Sequence, residues 1–188
     1  MPSTAPEIDR TIVLVGLMGS GKTCIGRHLA RRLELPFVDA DEEIVGAAGI
    51  PVAEIFATLG ESGFREGERK VIARLLDRSP HVLATGGGAF LDPGTRQLIR
   101  QRGISIWLRA SLDTLDRRTR GRSSRPLLNV SDPRAVLESL MKLRHPVYAE
   151  ADIVVDTTEE PAEATVRNVL AALHRHLAER PAAAGEAL

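Results

Sequence analysis

Gly16-Leu-Met-Gly-Ser-Gly-Lys-Thr23 is the stretch of sequence that decides the fold. It satisfies the pattern G-x-x-x-x-G-K-S/T and follows a continuous β-branched run at residues 11–15. Such a run predicts a parallel strand buried on both faces, and the spacing of Ile25, Leu29 and Leu33 predicts a helix after the glycines. A phosphate-binding loop needs this strand–loop–helix context. The stretch therefore predicts nucleotide binding.

The loop is expected to bind phosphates mainly through its backbone. Glycines let N–H groups curl around the phosphates, and the helix N-terminus adds a favourable dipole. Lys22 is placed to neutralise the β- and γ-phosphate oxygens, and the Thr23 hydroxyl is placed to ligate Mg²⁺. The predicted nucleotide-binding residues of the loop are Gly16, Gly19, Ser20, Gly21, Lys22 and Thr23.

Short β-rich runs alternate with amphipathic stretches along the rest of the chain. Further strands are predicted at residues 36–38, 82–84, 104–108 and 153–155, and the first two helices after the loop helix around 41–59 and 61–78. Asp92-Pro93 and Asp132-Pro133 each offer an N-cap followed by a first-turn proline. This alternation predicts an α/β fold, an open five-stranded parallel sheet flanked by helices, with ligands outside the carboxyl ends of the strands.

Length and charge bound the class of protein. The 188 residues suit one domain, which we place at residues 10–180 between a flexible arm (1–9) and a flexible tail (181–188). The 25 basic and 25 acidic residues balance, which argues against a general nucleic-acid or anionic-membrane binder. A single cysteine and the lack of a signal-like or membrane-spanning stretch lead us to expect a cytoplasmic protein.

Two features at predicted strand ends could serve an acceptor molecule. Asp39 and Asp41 could hold Mg²⁺ through its waters and accept a hydroxyl proton, although a helix cap with a solvated acid explains them as well. Gly86, Gly87 and Gly88 could form an open backbone wall for the acceptor, or a tight turn. For the two aspartates and for the three glycines, both interpretations remain open.

Arginines form the other conspicuous group. Residues 119–130 lack periodicity and predict a mobile lid, with an arginine cluster around its start that would reach phosphates. Arg65 lies on a predicted helix near Glu61 and Glu68, where a surface ion pair explains it equally well. Arg144 and Tyr148 form an i,i+4 pair on a later predicted helix, where plain surface chemistry is the alternative interpretation. Cys24 is predicted to be a buried apolar filler. A GTPase would show a guanine-reading N/T-K-x-D segment, and the sequence lacks one. A generic ATPase would show an apolar strand ending in Asp followed by a catalytic Glu, and the sequence lacks this pattern as well.

Taken in sequence order, these motifs resemble those of the shikimate kinase family, from about residue 11 to 177. The residues that carry the resemblance, beyond the phosphate-binding loop, are Asp39, Asp41, Ile55, Phe56, Gly60, Glu61, Phe64, Arg65, Glu68, Gly86, Gly87, Gly88, Arg118, Arg125, Pro126, Leu127, Leu128, Leu143, Arg144, Pro146 and Tyr148.

The resemblance implies a P-loop, nucleoside-monophosphate-kinase-like fold with a core, a shikimate-binding region near residues 41–70 and a lid near 119–130. It also implies transfer of the ATP γ-phosphoryl group to the 3-hydroxyl of shikimate with Mg²⁺, in chorismate and aromatic amino acid biosynthesis, by a monomer.

The resemblance further assigns roles to single residues. Asp41 would hold the reacting hydroxyl and act as base, and Asp39 would support Mg²⁺ with Thr23. The acceptor would lie among Arg65, Arg144, Phe56, Phe64 and the three glycines, with both arginines on its carboxylate. Arg125 would reach the transferring phosphate, and Arg118 would stack on adenine opposite the segment near Pro161. Arg120 and Arg122 are additional arginines without an implied role.

Two alternatives remain. A related P-loop kinase could act on gluconate or a nucleoside monophosphate, although Arg65, Arg144 and the three glycines disfavour this. A non-catalytic nucleotide-binding switch would bind the nucleotide without acceptor-dependent release of ADP.

Overall fold

Five parallel strands form one sheet in a computed structural model that describes residues 8–121 and 128–179. The strands are β1 (Thr11–Val15), β2 (Phe37–Asp39), β3 (Val82–Ala84), β4 (Gly103–Ala110) and β5 (Ile153–Thr157). Their order in the sheet is β2-β3-β1-β4-β5, and every neighbouring pair is parallel. The predicted five-stranded parallel sheet is confirmed.

Helices cover both faces of the sheet. They are α1 (Lys22–Leu33), α2 (Ala40–Ala48), α3 (Val52–Leu76), α4 (Pro93–Arg102), α5 (Leu112–Thr119), α6 (Pro133–Tyr148) and α7 (Ala162–Glu179), with a 3₁₀ helix at Ala89–Leu91. Every residue of β1 is buried. Val13 and Val15 face one apolar cluster, whereas Ile12 and Leu14 face the other, so β1 lies at the centre of both cores.

The helix predicted around residues 41–59 is wrong in one respect, because two helices occupy this range. Gly49 ends α2 in the left-handed conformation at φ 71°, and its N–H binds the carbonyl of Val45. Pro51 then precedes α3. The predicted boundary between residues 59 and 61 is confirmed as a break at Gly60, where φ is 69° and ψ is −177°.

Side-chain caps fix the starts of several helices. The Asp92 carboxylate accepts from the backbone N–H of Thr95 at 2.7 Å, and the Asp132 carboxylate accepts from Ala135 at 3.0 Å. Both predicted aspartate–proline starts are confirmed. Strand β2 lies one residue later than predicted, since Asp39 pairs with Ala84 in the sheet and α2 begins directly after it.

No single helix among residues 8–121 and 128–179 is long and apolar enough to cross a membrane, and only the bent pair α2 and α3 passes by length and composition together.

Candidate active site

The predicted phosphate-binding loop lies at the carboxyl end of β1, the central strand. Gly19 and Gly21 adopt φ values of 83° and 96°. A Cβ at Gly19 would lie 2.8 Å from Cγ2 of Thr119, so helix α5 packs directly against the loop. Lys22 Nζ donates to the carbonyls of Gly16 and Leu17 at 2.8 and 3.0 Å. The ammonium group is thereby held against the loop from the first turn of α1.

Thr23, Asp39 and Asp41 form a chain of hydrogen bonds beside the loop. The Thr23 hydroxyl donates to Oδ2 of Asp39 at 3.2 Å, and Oδ1 of Asp39 accepts from the backbone N–H of Asp41 at 3.0 Å. The second bond is the N-cap of α2. Asp39 therefore caps a helix, as the alternative interpretation held, and also contacts the residue predicted to ligate Mg²⁺.

Asp41 faces the cleft at the edge of the loop. Although Asp41 is solvent-exposed as a residue, its pKa is raised above the usual 3.8, first by partial desolvation of the carboxyl group in the cleft and then by the charge of Asp39. Lys22 and Arg65 act in the opposite direction on this pKa. A carboxylate with a raised pKa between two cations has the environment that a general base near neutral pH requires.

The three glycines after β3 form a backbone wall that both the phosphate-binding loop and the arginines approach closely. A Cβ at Gly87 would lie 3.3 Å from Nη1 of Arg144 and 3.7 Å from the carbonyl oxygen of Gly16. A Cβ at Gly86 would lie 3.0 Å from Oδ1 of Asp41. A Cβ at Gly88 would collide with the guanidinium of Arg65, at 2.7 Å from Cζ. The close approach of these groups explains why no side chain occupies the three positions.

An ion pair holds Arg65 beside the backbone wall at residues 86–88. Its Nη1 donates to Oε2 of Glu68 at 2.6 Å, and Glu68 is only 1 % exposed. Burial raises the pKa of Glu68, while the Arg65 guanidinium opposes the rise. Phe56 and Phe64 stack with ring centroids 4.3 Å apart, and the Arg65 guanidinium lies 5.2 Å from the Phe64 centroid. Arg65 is thus a fixed cation beside an aromatic surface.

Arg144 reaches the same wall at Gly87 from helix α6. One turn further along α6, Tyr148 is fully buried and its hydroxyl donates to the carbonyl of Gly87. Within residues 8–121 and 128–179, Nε of Arg144 is buried and has no hydrogen-bond partner. Plain surface chemistry, the alternative interpretation of this pair, is therefore wrong for Tyr148.

Arg118 connects the loop to the end of β5. Its Nη1 donates to the carbonyls of Gly19 and Ser20 at 3.3 and 3.4 Å and to the Thr157 hydroxyl at 3.2 Å. Its Nη2 donates to the carbonyl of Thr158. Arg118 is thereby fixed at the end of the cleft that lies near the start of α7.

Among the arginines at residues 119–130, Arg120 lies in the part of the chain that the structure describes. Arg120 pairs with Asp116 at 2.7 Å, and Arg134 contacts the same carboxylate at 3.5 Å from the start of α6. Arg120 is therefore engaged outside the cleft. Arg122 and Arg125 lie outside the described residues, so the predicted contact of Arg125 with phosphate stays a prediction.

One cleft of about 790 Å³ lies over the phosphate-binding loop and extends to Asp41, Gly86 and Gly87. It runs from Lys22 and Thr23 past Asp41 and Gly87 on one side, and on the other to Arg118 and the residues on either side of Pro161. Cys24 lines this cleft and is exposed. The prediction of a buried filler was wrong, because Cys24 lies off the apolar stripe of α1.

Comparison with protein families identifies this architecture. The family model described as shikimate kinase matches residues 18–174. The chain belongs to the shikimate kinase family. A shikimate kinase of Paramagnetospirillum magneticum is 57 % identical over 94 % of this chain and 90 % of its own length. One of Caulobacter vibrioides is 53 % identical over 91 % of this chain and 86 % of its own.

Solved structures place the fold in the same family. A shikimate kinase from Acinetobacter baumannii in complex with shikimate superimposes with a TM-score of 0.83 and 40 % identity, covering 90 % of this chain and 95 % of that one. A gluconokinase from Sinorhizobium meliloti superimposes with a TM-score of 0.61 and 22 % identity, covering 90 % and 94 %. The second likeness shows the fold alone.

Sequence reasoning missed several features around the candidate site of this shikimate kinase family member. The burial of Glu68 could not be read from its i+3 spacing to Arg65, because it depends on packing against residues distant in sequence, Gly86 among them. The pair formed by Arg69 and Asp92 joins residues 23 positions apart, and no local pattern connects them. The exposure of Cys24 did have a signal, since its neighbours Thr23 and Lys22 were already predicted to face the nucleotide.

Proposed function

We propose that this chain transfers the γ-phosphoryl group of ATP to the 3-hydroxyl of shikimate, giving shikimate 3-phosphate and ADP, as a step in chorismate and aromatic amino acid biosynthesis. Family membership supports this activity. The observation that carries it is the convergence of the phosphate-binding loop, Asp41, Arg65 and Arg144 on the backbone wall at residues 86–88. A phosphoryl donor and an anionic acceptor can meet there.

Asp41 is the proposed base. Its carboxyl group lies between the phosphate-binding loop and Gly86, and its raised pKa brings it nearer to the working pH than an ordinary aspartate. It would hold the acceptor hydroxyl and take its proton as the phosphoryl group arrives. Because the transition state of phosphoryl transfer is mainly dissociative, positioning of the hydroxyl matters as much as removal of the proton.

Arg65 and Arg144 are the proposed binders of the acceptor carboxylate. Arg65 is only 23 % exposed at its side chain and is fixed by Glu68, and the buried Nε of Arg144 has no hydrogen-bond partner in the part of the chain that the structure describes. An unpaired buried donor is costly, and a carboxylate ligand would satisfy it. Phe56 and Phe64 would pack against the ring of the acceptor, and Gly86, Gly87 and Gly88 would border its hydroxyl groups.

The nucleotide would occupy the part of the cleft next to the phosphate-binding loop. Lys22 would neutralise the β- and γ-phosphates, supported by the backbone of Gly16, Gly19, Ser20 and Gly21. Arg118 would stack on adenine, with Pro161 opposite it, since the cleft is lined on either side of Pro161 by Glu160 and Ala162. Arg125 would come down with a lid at residues 119–130 onto the transferring phosphate.

The residues beside the loop fit a Mg²⁺ ion. Thr23 and Asp39 present a hydroxyl and a carboxylate oxygen 3.2 Å apart, and hard oxygen ligands are those that Mg²⁺ prefers. Mg²⁺ bound at ATP sites commonly takes few protein ligands and completes its shell with phosphates and waters. Thr23 would bind the ion directly and Asp39 would support it, and the bound ion would neutralise charge that develops on the phosphates.

A panel of acceptors in a coupled assay for ADP tests the proposal. We expect ADP release that depends on shikimate and on Mg²⁺, with no comparable release for gluconate or nucleoside monophosphates. Faster release with one of those acceptors would assign the chain to a related kinase. Nucleotide binding without acceptor-dependent ADP release would make it a switch. A monomeric cytoplasmic enzyme is part of the proposal, and sedimentation analysis of the purified chain checks the monomer.

A further inference from the structure

Helix α3 continues past Arg65 and Glu68 to a third charged residue that contacts the glycine segment. Arg69 Nε donates to Oδ2 of Asp92 at 2.9 Å, and its Nη2 donates to Oδ1 at 2.7 Å. The pair is bidentate, the arrangement in which arginine and carboxylate fix each other's orientation most strictly. It joins α3 to the segment at residues 86–94 that carries the backbone wall.

Three side chains of α3 therefore contact this segment in succession. Arg65 lies against Gly88, Glu68 against Gly86, and Arg69 against Gly94, where a Cβ would lie 2.9 Å from its Nε. Arg65 and Arg69 are four residues apart, so they lie on one face of the helix. A change in the distance between α3 and the segment at Arg69 is thus transmitted to Arg65 one turn away.

Asp92 is suited to hold this distance because it has two fixed partners. The side chain of Asp92 is 14 % exposed, and the same carboxylate caps α4 through the N–H of Thr95. The hydrogen bond from Arg69 is the main reason why the pKa of Asp92 is lowered to about 2. Asp92 is consequently a permanent anion anchored to the start of α4.

Arg69 also neutralises a charge that would disturb the neighbouring pair. Burial raises the pKa of Glu68, and the negative charges of Asp41 and Asp92 add to that rise. Without Arg69, the uncompensated Asp92 would act on Glu68, the residue that holds Arg65. Loss of Arg69 would therefore affect Arg65 both through geometry and through charge.

We propose that Arg69 and Asp92 are a positioning pair for the acceptor, which fixes α3 against residues 86–94 so that Arg65 meets the acceptor carboxylate at the backbone wall. The inference rests on the proposed function, because it names the residues that set the geometry of the same site. Neither residue needs to touch the acceptor. Their effect is on the position of Arg65.

Steady-state kinetics of Arg69→Met test the pair. We expect the KM for shikimate to rise on the order of tenfold, as expected when a binding group is displaced by a fraction of an ångström, with the KM for ATP unchanged. Arg69→Lys keeps the charge and loses the bidentate geometry, so it should fall between the wild type and Arg69→Met. Calorimetric titration with shikimate should show the same order of affinities without turnover.

Two further variants separate positioning from a general loss of structure. Asp92→Asn removes the charge and retains a cap for Thr95, since asparagine is as good an N-cap as aspartate. It should reproduce Arg69→Met, and the double variant should be no worse than either single one. Lys70→Met is the matched control, because the ion pair of Lys70 with Glu66, at 2.7 Å, lies along the helix itself, and its KM values should stay at wild type.

The outcomes separate the positioning role of Arg69 and Asp92 from the proposed function itself. An unchanged KM for shikimate in Arg69→Met, equal rises for both substrates, or additive effects in the double variant would overturn the positioning role while the wild-type activity stands. A wild-type protein that releases no ADP in response to shikimate and does not bind it would instead overturn the proposed function, and the positioning role with it.

Discussion

Arg65 and Glu68 form an ion pair of 2.6 Å in which the acid is almost fully buried and the base borders the backbone wall. The pair has a structural and a binding consequence that can be measured separately. Arg65→Met leaves Glu68 buried without its partner, which should lower the free energy of unfolding by roughly 3 kcal/mol, near the lower end for buried pairs because Arg65 is partly exposed. The KM for shikimate should rise about 10- to 100-fold through loss of a charge-assisted contact.

Glu68→Gln supplies the control for Arg65→Met. Combined with Arg65→Met, it removes the unpaired buried charge, so most of the lost stability should return while the KM for shikimate stays high. The pKa of Glu68 is raised in the folded protein, so its ionisation costs stability as the pH rises through that pKa. Arg65→Met should therefore lose more stability than the wild type as the pH rises above 4.5, the ordinary pKa of a glutamate, and denaturant titrations at several pH values measure this.

Asp41→Asn should leave both substrates bound and lower kcat by about 10²- to 10⁴-fold, the usual contribution of a general base. The pKa of Asp41 is raised above 3.8, so in the wild type kcat should fall as the pH drops through a value above 3.8. The variant should lack this acid limb. Since the folded-state pKa is raised, the carboxylate costs stability above that pKa, and stability of Asp41→Asn at pH 7 should not fall. A variant that keeps most of its rate would exclude Asp41 as the base.

Gly88→Ala should weaken acceptor binding at small cost to stability. The added methyl group would displace the Arg65 guanidinium, which is the end of a flexible side chain, and φ at this position is −95°, so the backbone tolerates alanine. We expect a higher KM for shikimate, an unchanged KM for ATP and less than about 1 kcal/mol lost in unfolding.

Gly46→Ala is the matched control, since a Cβ there would meet nothing within 4 Å and the site lies in α2. It should leave both KM values unchanged and add up to about 1 kcal/mol of stability, because alanine is the better helix former. Equal effects of the two substitutions on the KM for shikimate would contradict the role of Gly88.

Cys24 offers a chemical probe of the nucleotide half of the cleft. It is the single cysteine of the chain, it is exposed, and it lines the cleft beside Thr23. A thiol reagent should therefore modify it, and Mg²⁺-ATP at about ten times its Kd should slow modification on the order of tenfold by mass action. Shikimate alone should protect less. Cys24→Ser should abolish the reaction, and equal rates with and without nucleotide would place ATP elsewhere.

The parts of the fold that sequence predicted are those coded locally. The buried run at residues 11–15, the glycine pattern that follows it and the Asp92-Pro93 start each act within a few residues, so their structural consequence can be read directly. The break between α2 and α3 also had a local signal, because Gly49 and Pro51 stand together there, and that signal was overlooked.

Features of the site that sequence could not give are those created by packing between distant elements. Glu68 lies against Gly86, and Asp92 meets Arg69 because α4 starts beside the same helix. In the sequence Glu68 has the appearance of a solvated surface charge, and Asp92 has that of a helix cap alone. The sequence therefore predicted the charged residue types of the site better than their environments, and the environments set the pKa values and positions.

Gly87 lies where two distant parts of the chain come together. From an ideal Cβ position on Gly87, Nη1 of Arg144 lies 3.3 Å away, the carbonyl oxygen of Gly16 3.7 Å and the backbone nitrogen of Met18 3.9 Å. The space beside this one residue is therefore shared by the phosphate-binding loop and the guanidinium of an arginine from α6. A side chain at position 87 would fill that space, so the close approach of α6 to the loop depends on one missing methyl group.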